Sequence, residues 1–183
     1  MAKPRKTWRE KLLDCKGLPK VSVIEGKMSK RWGEGTCAIP APMEVDEIMK
    51  SVPKGRLITT KEIQATIAKN HNAAMACPMC CGIFAWIAAH AANEAESEGA
   101  KRITPYWRTL KSGGELNPKF PGGVEVLKAR LEAEGHRVVT KGKKWIVADY
   151  ESCLVSGGSN GRAKSNGRAI SVTSPAKIAG RRR

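Results

Sequence analysis

Apolar residues recur at helical spacing between residues 43 and 52, and this pattern predicts a helix with one buried face. The apolar positions are Met43, Val45, Ile48, Met49 and Val52. Pro53 and Gly55 follow directly, and both residue types are typical of a break in a helix. The next stretch, 56–60, is β-prone, and Thr60 is expected to cap the following helix.

Two more helices are expected over residues 61–69 and 78–98. The second begins at a proline and is followed by Gly99, the residue types preferred at those two ends. The apolar stripe expected on it consists of Ile83, Phe84, Ile87 and Ala91. Because a tight polar turn at 70–72 joins the two helices, the pair has the pattern of a helix-turn-helix.

The following part of the chain predicts a loop, a helix and a hairpin. A glycine-rich loop spans 112–123, and a helix is expected over 124–134. Two short β-prone runs, 137–139 and 145–147, flank a basic turn and predict a hairpin. A hairpin in this position after a helix-turn-helix is called a wing, so the expected fold class is α+β, mostly helical and winged-helix-like.

The two ends of the chain differ in composition from the segment between them. Residues 1–41 are basic and rich in glycine and proline, and a short helix is expected near Thr7, which has a capping-box glutamate three residues on. Beyond Tyr150 the chain is dominated by Ser, Gly, Asn and basic residues, which predicts a disordered basic tail or a remnant of cloning or of a frameshift. The expected organisation is an extension over 1–41, one domain over 42–150 and a tail over 151–183.

The charge balance favours a polyanion as the partner. The 183 residues include 33 Lys and Arg against 17 Asp and Glu, a formal net charge of +16. A field of that sign attracts nucleic acid. Membrane attraction would need an apolar span or an amphipathic anchor, which the sequence lacks, and the charged N-terminus is not typical of a signal peptide. We therefore expect a cytoplasmic or nucleoid-associated protein with reduced cysteines, no membrane partner and no cofactor.

Three motifs occur in order along the chain: VPKGRLITTKEIQ at 52–64, PYWR at 105–108 and GGVEVLKARLEAEGH at 122–136. Together they resemble the C-terminal DNA-binding domain of the methylguanine-DNA methyltransferases and their non-catalytic relatives, the alkyltransferase-like proteins. The resemblance covers about residues 43–139. It implies double-stranded DNA as the partner, a flipped alkylated guanine as a candidate ligand and a repair protein as a candidate second partner.

The chain departs from that family at the catalytic positions. The family's nucleophilic cysteine falls on Tyr106 and its neighbouring histidine falls on Trp107, whereas Pro105, Arg108 and the relay glutamate, Glu134, match. A thiolate is the reactive form for alkyl transfer, and a phenol with a pKa of about 10 is no substitute. No catalytic residue is therefore expected, and the resemblance implies non-catalytic DNA binding.

The aromatic pair of the PYWR motif is interpreted as part of a base pocket. A base extruded from a duplex needs aromatic or apolar walls, which Tyr106 and Trp107 can supply between Pro105 and Arg108. The alternative is that both rings fill a pocket that closed when catalysis was lost.

Further DNA contacts are expected from four places along the chain. They are Thr60 and Lys61 at the start of a helix, Asn72 and Met75 between helices, Lys141, Lys143 and Lys144 at the hairpin tip, and Lys30 and Arg31 in the segment 27–32. That last segment is either a phosphate-facing arm or a solvated loop pinned by Trp32. By the resemblance, Thr60 replaces a tyrosine beside the flipped nucleotide, and Pro121 replaces a serine. The family's intercalating arginine falls near Met75, which can act as a wedge but cannot hydrogen-bond. These departures affect lesion recognition more than sequence-independent DNA binding.

The run Cys77-Pro-Met-Cys80-Cys81 allows three interpretations. With His71 or His90 it is an incomplete zinc motif, but a structural zinc site usually needs a second clear pair, so we predict no metal. A cysteine here is also a candidate nucleophile of a different enzyme, although no base accompanies it. The third interpretation is close packing. An adaptor that binds protein or RNA is the remaining alternative for the whole domain.

Overall fold

The structure is a computed structural model that describes residues 6–155. Its helices are α1 (Trp8–Leu13), α2 (Lys27–Trp32), α3 (Pro42–Lys50), α4 (Thr60–Asn70), α5 (Pro78–Ser97), α6 (Gly123–Ala133) and α7 (Tyr150–Cys153). Its strands are β1 (Lys20–Val23), β2 (Thr36–Ile39), β3 (Ile58–Thr59), β4 (Met75–Ala76), β5 (Thr109–Leu110), β6 (Val138–Lys141) and β7 (Lys144–Val147). A 3₁₀ turn, Tyr106–Arg108, precedes β5. The α+β, mostly helical fold class is confirmed.

Helix α5 forms the centre of the core and packs through a face of small residues. Its buried positions are Cys81, Ala85, Ala88, Ala89, Ala91 and Ala92. Helices α1, α3 and α4 pack against it, and the small side chains allow close approach. The stripe expected from the sequence is therefore right at Ala91 and partly right at Phe84, which is half-buried against the core. It is wrong at Ile83, which is 47% exposed, and Ile87 is only half-buried. None of the helices within residues 6–155 is long and apolar enough to cross a membrane.

The first helix is held on α5 by hydrogen bonds to its free backbone amides. The capping box predicted at Thr7 is present, with the Thr7 hydroxyl accepting from the Glu10 amide. Glu94 of α5 accepts from the amides of Trp8 and Arg9, at 3.4 and 2.9 Å. Because the first amides of a helix have no partner inside it, Glu94 satisfies donors that would otherwise face solvent.

The segment 27–32 forms helix α2 rather than an extended arm or a loop. Trp32, at its end, packs against a small cluster made of Ile24, Cys37 and Cys77. The cluster lies beside a three-stranded sheet in which β2 pairs antiparallel with β1 and parallel with β4.

The connection between α4 and α5 is longer than the tight turn that the sequence predicted. Asn72 adopts a positive φ of 48°, and the Ala74 amide then donates to the Thr36 hydroxyl at 3.3 Å. These contacts bring β4 alongside β2 before α5 begins, so a strand of the sheet lies inside the connection. The two helices still pack together. The domain boundary expected at residue 41 stays a prediction.

The remaining elements follow the predicted order. Gly122 is the N-cap of α6; its φ of 74° suits glycine, and a Cβ there would collide with Val126. The hairpin is formed by β6 and β7, which pair antiparallel from Val138 with Val147 to Lys141 with Lys144. Cys153, Leu154 and Val155 pack against the core, and Leu154 forms a bridge with Leu57. The rest of the tail expected over 151–183 lies outside the described residues.

The N-cap of α4 provides a test of the fold. The cap is Thr59, not Thr60 as expected, and Thr59 and Glu62 form a capping box. We expect Thr59→Ala to lower the free energy of unfolding by about 1 kcal/mol. Thr60→Ala is the matched control, with an expected change of at most about 0.5 kcal/mol. Urea unfolding of both variants measures the difference, and equal losses would contradict the assignment of the cap.

Candidate nucleic-acid interface

The aromatic pair of the PYWR motif is packed into the core rather than lining an open pocket. Tyr106 is 0% exposed, and its ring meets Trp107 and Phe120 edge-on, with centroids 5.5 and 6.1 Å away. Pro105 is buried as well. Within residues 6–155 the Tyr106 hydroxyl has no hydrogen-bond partner, and burial raises the pKa of the phenol. The expectation of an open wall at Tyr106 is therefore corrected: the ring fills core space, as in the alternative interpretation.

Trp107 and Arg108 are both bound to Glu134. The Trp107 indole N–H donates to Glu134 Oε1 at 2.8 Å, and Arg108 donates to both carboxylate oxygens from Nε and Nη2, at 2.8–3.1 Å. The Gly55 amide donates to the same carboxylate at 3.2 Å. Burial opposes ionisation, but hydrogen bonds from Arg108, Trp107 and Gly55 outweigh it and lower the pKa of Glu134. Glu134 is therefore an anchoring carboxylate at the end of α6.

An open groove lies between the exposed face of α5 and the glycine-rich loop, and we call it the α5 groove. It has a volume of about 770 Å³ and is lined by Thr60, Pro78, Met79, Gly82, Ile83, Trp86, His90, Lys111, Asn117 and Lys119. Met79 is 66% exposed and Ile83 is 47% exposed. These two large apolar side chains face the solvent, so the groove offers an apolar surface that the protein itself does not cover.

Two side chains of α5 hold the glycine-rich loop in place. The Trp86 indole N–H donates to the Lys119 carbonyl at 3.0 Å, and His90 Nε2 lies 3.3 Å from the same oxygen. Trp8 of α1 stacks on His90 with centroids 4.4 Å apart and meets Trp86 edge-on at 4.7 Å. Burial lowers the pKa of His90, which favours the neutral ring in this aromatic cluster. Helix α1 thus closes one end of the α5 groove.

Basic and polar residues that the sequence singled out lie around this groove. Thr60 is part of its wall, and Lys61 follows at the exposed start of α4. Lys111 binds Glu115 at 2.8 Å, and Glu115 also binds Lys144 of the hairpin at 3.0 Å. The ion pairs therefore connect the hairpin to the groove wall. Lys141 and Lys143, at the hairpin tip, are exposed.

The other predicted contacts lie on the sheet side of α5. Lys30 and Arg31 are exposed on α2, next to Trp32, which packs on the cluster that includes Cys77 at the start of α5. Asn72 is exposed at the turn after α4. Met75 is half-buried in β4 and packs against the same cluster. Met75 therefore does not line the α5 groove, and its expected DNA contact stays a prediction.

Sequence reasoning missed the main apolar surface of the groove. Met79, Ile83, Trp86 and His90 are spaced by four, three and four residues, so they share one face of α5. That periodicity is visible in the sequence. Their exposure is not, because a helical pattern does not say which face is buried.

The cysteine run packs at the start of α5 and on the sheet. All six cysteines of the chain are free thiols. Within residues 6–155, no group of three or more His, Cys, Asp or Glu side chains is arranged to hold a metal ion. The histidines weighed as partners are engaged elsewhere, His71 with Glu44 at 2.8 Å and His90 with the Lys119 carbonyl.

Comparisons with known proteins give two similar structures. No protein-family model and no curated protein sequence matches the chain. The crystal structure of S. pombe Atl1 in complex with damaged DNA containing O6-carboxymethylguanine is 17% identical with a TM-score of 0.43, and a structure of S. pombe ATL in complex with DNA is 15% identical with a TM-score of 0.41. Each match covers 63% of this chain and 94% of the other. At this level of similarity the likeness carries no argument about function.

The Glu134 cluster provides a test of the site's architecture. Removing the carboxylate leaves the mostly buried Arg108 guanidinium without its ion pair, so we expect Glu134→Ala to lower the free energy of unfolding by about 3–5 kcal/mol. Glu132→Ala, on the exposed face of α6, is the control and should change it by at most about 0.5 kcal/mol.

The same cluster predicts a pH dependence. The pKa of Glu134 in the folded protein lies below its ordinary value of 4.5. The stability that the ionised carboxylate provides is therefore fully present above pH 4.5 and is lost as the pH falls through the folded pKa. Because glutamine does not ionise, the Glu134→Gln variant should lack this part of the loss of stability at acid pH. Urea midpoints measured across that pH range for both proteins check the prediction, and identical profiles would contradict it.

Proposed function

We propose that the protein binds double-stranded DNA through the α5 groove and the basic residues around it, without catalysing a reaction on the DNA. The observation that carries the proposal is the exposed apolar pair Met79 and Ile83, placed on one helix face beside Lys111 and Lys119. Contiguous exposed apolar surface commonly marks an interaction site.

The positive charge indicates which partner that surface suits. The chain carries a net charge of +16, and the groove is surrounded by lysines from α4, the glycine-rich loop and the hairpin. Phosphate contacts of this kind give sequence-independent affinity that depends on salt. Apolar side chains inserted between base steps are a common feature of minor-groove proteins. Met79, the most exposed apolar residue of the groove, fits that role better than Met75.

The groove is also a suitable place for a base extruded from the duplex. Its volume of about 770 Å³ falls in the range of roughly 300–1,000 Å³ that is typical of small-ligand sites. Trp86 provides an aromatic surface, and stacking on such a surface is worth roughly 1–3 kcal/mol per base. The apolar wall of Met79 and Ile83 suits an added alkyl group, so alkylated guanine is the lesion we propose.

The environment of Tyr106 supports a non-catalytic role. Its phenol is buried, and burial raises its pKa, so the reactive phenolate is disfavoured. Glu134 is occupied by Arg108 and Trp107, so it is not placed to activate a nucleophile.

Salt-dependent titrations test the phosphate contacts. We expect Lys61→Ala to weaken binding of unmodified duplexes uniformly and to reduce the slope of log affinity against log salt by about 1. Lys101→Ala is the control, because Lys101 is exposed and follows the C-terminal end of the 20-residue helix α5, which is about 30 Å long, whereas Pro78 begins that helix. Equal slope changes for both variants would indicate diffuse binding over the surface. Equal affinity for RNA and DNA duplexes would contradict the proposal and favour an adaptor.

A second titration tests the groove itself. Burying a methionine side chain is worth roughly 1.5–3 kcal/mol, so we expect Met79→Ala to weaken duplex binding by about tenfold or more. Leu13→Ala is the matched control, because Leu13 is also 66% exposed but lies at the end of α1. The variants are compared on duplexes with and without alkylguanine. If Met79→Ala binds both duplexes as tightly as Leu13→Ala does, the α5 groove is not the interface.

A further inference from the structure

Four cysteines lie at the start of α5 or on the neighbouring strand β2, and the proposed DNA site uses none of their thiols. Cys77 is the N-cap residue of α5 and Cys80 lies in its first turn. Cys37 reaches them from β2, where the Cys77 amide donates to the neighbouring Ala38 carbonyl at 2.9 Å. Cys81 is buried on the core side of the helix.

Cys77 is the central sulfur of this group. It lies in the small buried cluster with Cys37, and Cys80 packs against that cluster. Cys37 and Cys77 are buried, whereas Cys80 is half-buried and is therefore the more accessible of the three. Two cysteines separated by two residues at a helix N-terminus have the spacing of the disulfide-exchanging Cys-x-x-Cys motif.

We propose that Cys77 and Cys80 are a redox modification site, and that the disulfide between them weakens DNA binding at the α5 groove. The regulatory half of this inference rests on the proposed function. The physical link is the sequence between the two sulfurs: the disulfide would close a ring that contains Pro78 and Met79. Met79 is the most exposed apolar residue of the groove, so a change in the backbone of the first turn of α5 changes the position of its side chain in the groove.

The reaction needs a small disulfide as its oxidant, and oxidised glutathione is the reagent we name. One protein thiol, as its thiolate, attacks oxidised glutathione, forms a mixed disulfide and releases one glutathione thiolate. The second protein thiol loses its proton and attacks the protein sulfur of the mixed disulfide. This forms the disulfide within the protein and releases the second glutathione. Two protein thiols are oxidised to one disulfide, one glutathione disulfide is reduced to two thiols, and the protons end on the released glutathione.

The environment of the thiols determines the rate of this exchange. Burial, followed by the hydrogen bond with Cys77, raises the pKa of Cys80 to about 12. Thiolate is therefore scarce at neutral pH, and formation of the disulfide should be slow there. Because the thiolate is the attacking species, the rate should rise about tenfold per pH unit below that pKa.

The experiment uses the full chain with Cys15→Ser and Cys153→Ser, which removes two thiols outside the cluster. The protein is incubated with oxidised glutathione over a pH series, and products are identified by intact mass and peptide mapping. We expect loss of two hydrogens and a Cys77–Cys80 link. Adding Cys37→Ser should leave the link unchanged, adding Cys80→Ser should abolish it, and adding Cys77→Ser should trap a glutathione adduct on Cys80.

DNA binding is then compared for the oxidised and reduced forms, with reduction by a dithiol as the reversal. We expect oxidation to weaken duplex binding by about fivefold or more, the loss typical of displacing an anchor of an interface. A disulfide that forms without changing the affinity would overturn the proposal, as would a link between Cys37 and Cys77 or the absence of any disulfide. These outcomes do not bear on the proposed function. Failure of the Met79 and Lys61 variants to affect binding would reject that function, and the mass measurement would still show whether the disulfide forms.

Discussion

The close packing of α5 through its alanine face is the constraint on which the rest of the structure depends. Ala85, Ala88, Ala89 and Ala92 are all at most 5% exposed, and α3, α1 and α4 pack against this helix. Since small residues fill the inner face, the large residues of α5 are displaced to its flanks and its outer face. The groove is a direct result, because its apolar wall consists of side chains that the core has no room for. Helix α1 covers the far end of that face through Trp8, so the groove is open toward the first turns of α5.

The Glu134 cluster connects three separate segments of the chain. The carboxylate joins the 3₁₀ turn, the end of α6 and the loop after α3 through hydrogen bonds from Trp107, Arg108 and Gly55. A buried ion pair is weak evidence for added stability, since well-packed apolar residues often do as well. The clearer effect of this ion pair is on the position of the 3₁₀ turn. By binding Trp107 and Arg108, the two residues that follow Tyr106, Glu134 holds the turn that places the phenol ring in the core.

The sequence predicted the elements whose determinants are local, and it failed where distant residues decide. The Thr7 capping box, the start of α5 at a proline and the hairpin of β6 and β7 depend on residues within a few positions of each other. The sheet of β1, β2 and β4 was missed, because strands of two to four residues carry little pattern and their partners lie far away in sequence. The buried face of α5 was assigned incorrectly for a related reason: its alanines and its large apolar residues both recur with helical period, and only the neighbouring helices determine which stripe faces inward. Of the predicted site residues, Thr60 lines the α5 groove, and its DNA contact and those of the hairpin lysines stay predictions. The burial of Tyr106 could not be predicted, because it depends on tertiary packing.

The first turn of α5 is the point where the core, the sheet and the groove are mechanically connected. The Cys77 amide is bonded to β2, Cys81 is buried in the alanine-lined core, and Met79 lies between them and faces the groove. The body of α5 is too closely packed to rotate or slide without losing contacts along its whole inner face. A local change in backbone geometry at Cys77 and Cys80 can therefore displace only two neighbouring parts, the edge of the sheet or the Met79 side chain. Because β2 is also tied to β1 along four residue pairs, the sheet side resists displacement, and the exposed turn that carries Met79 is the part that can move.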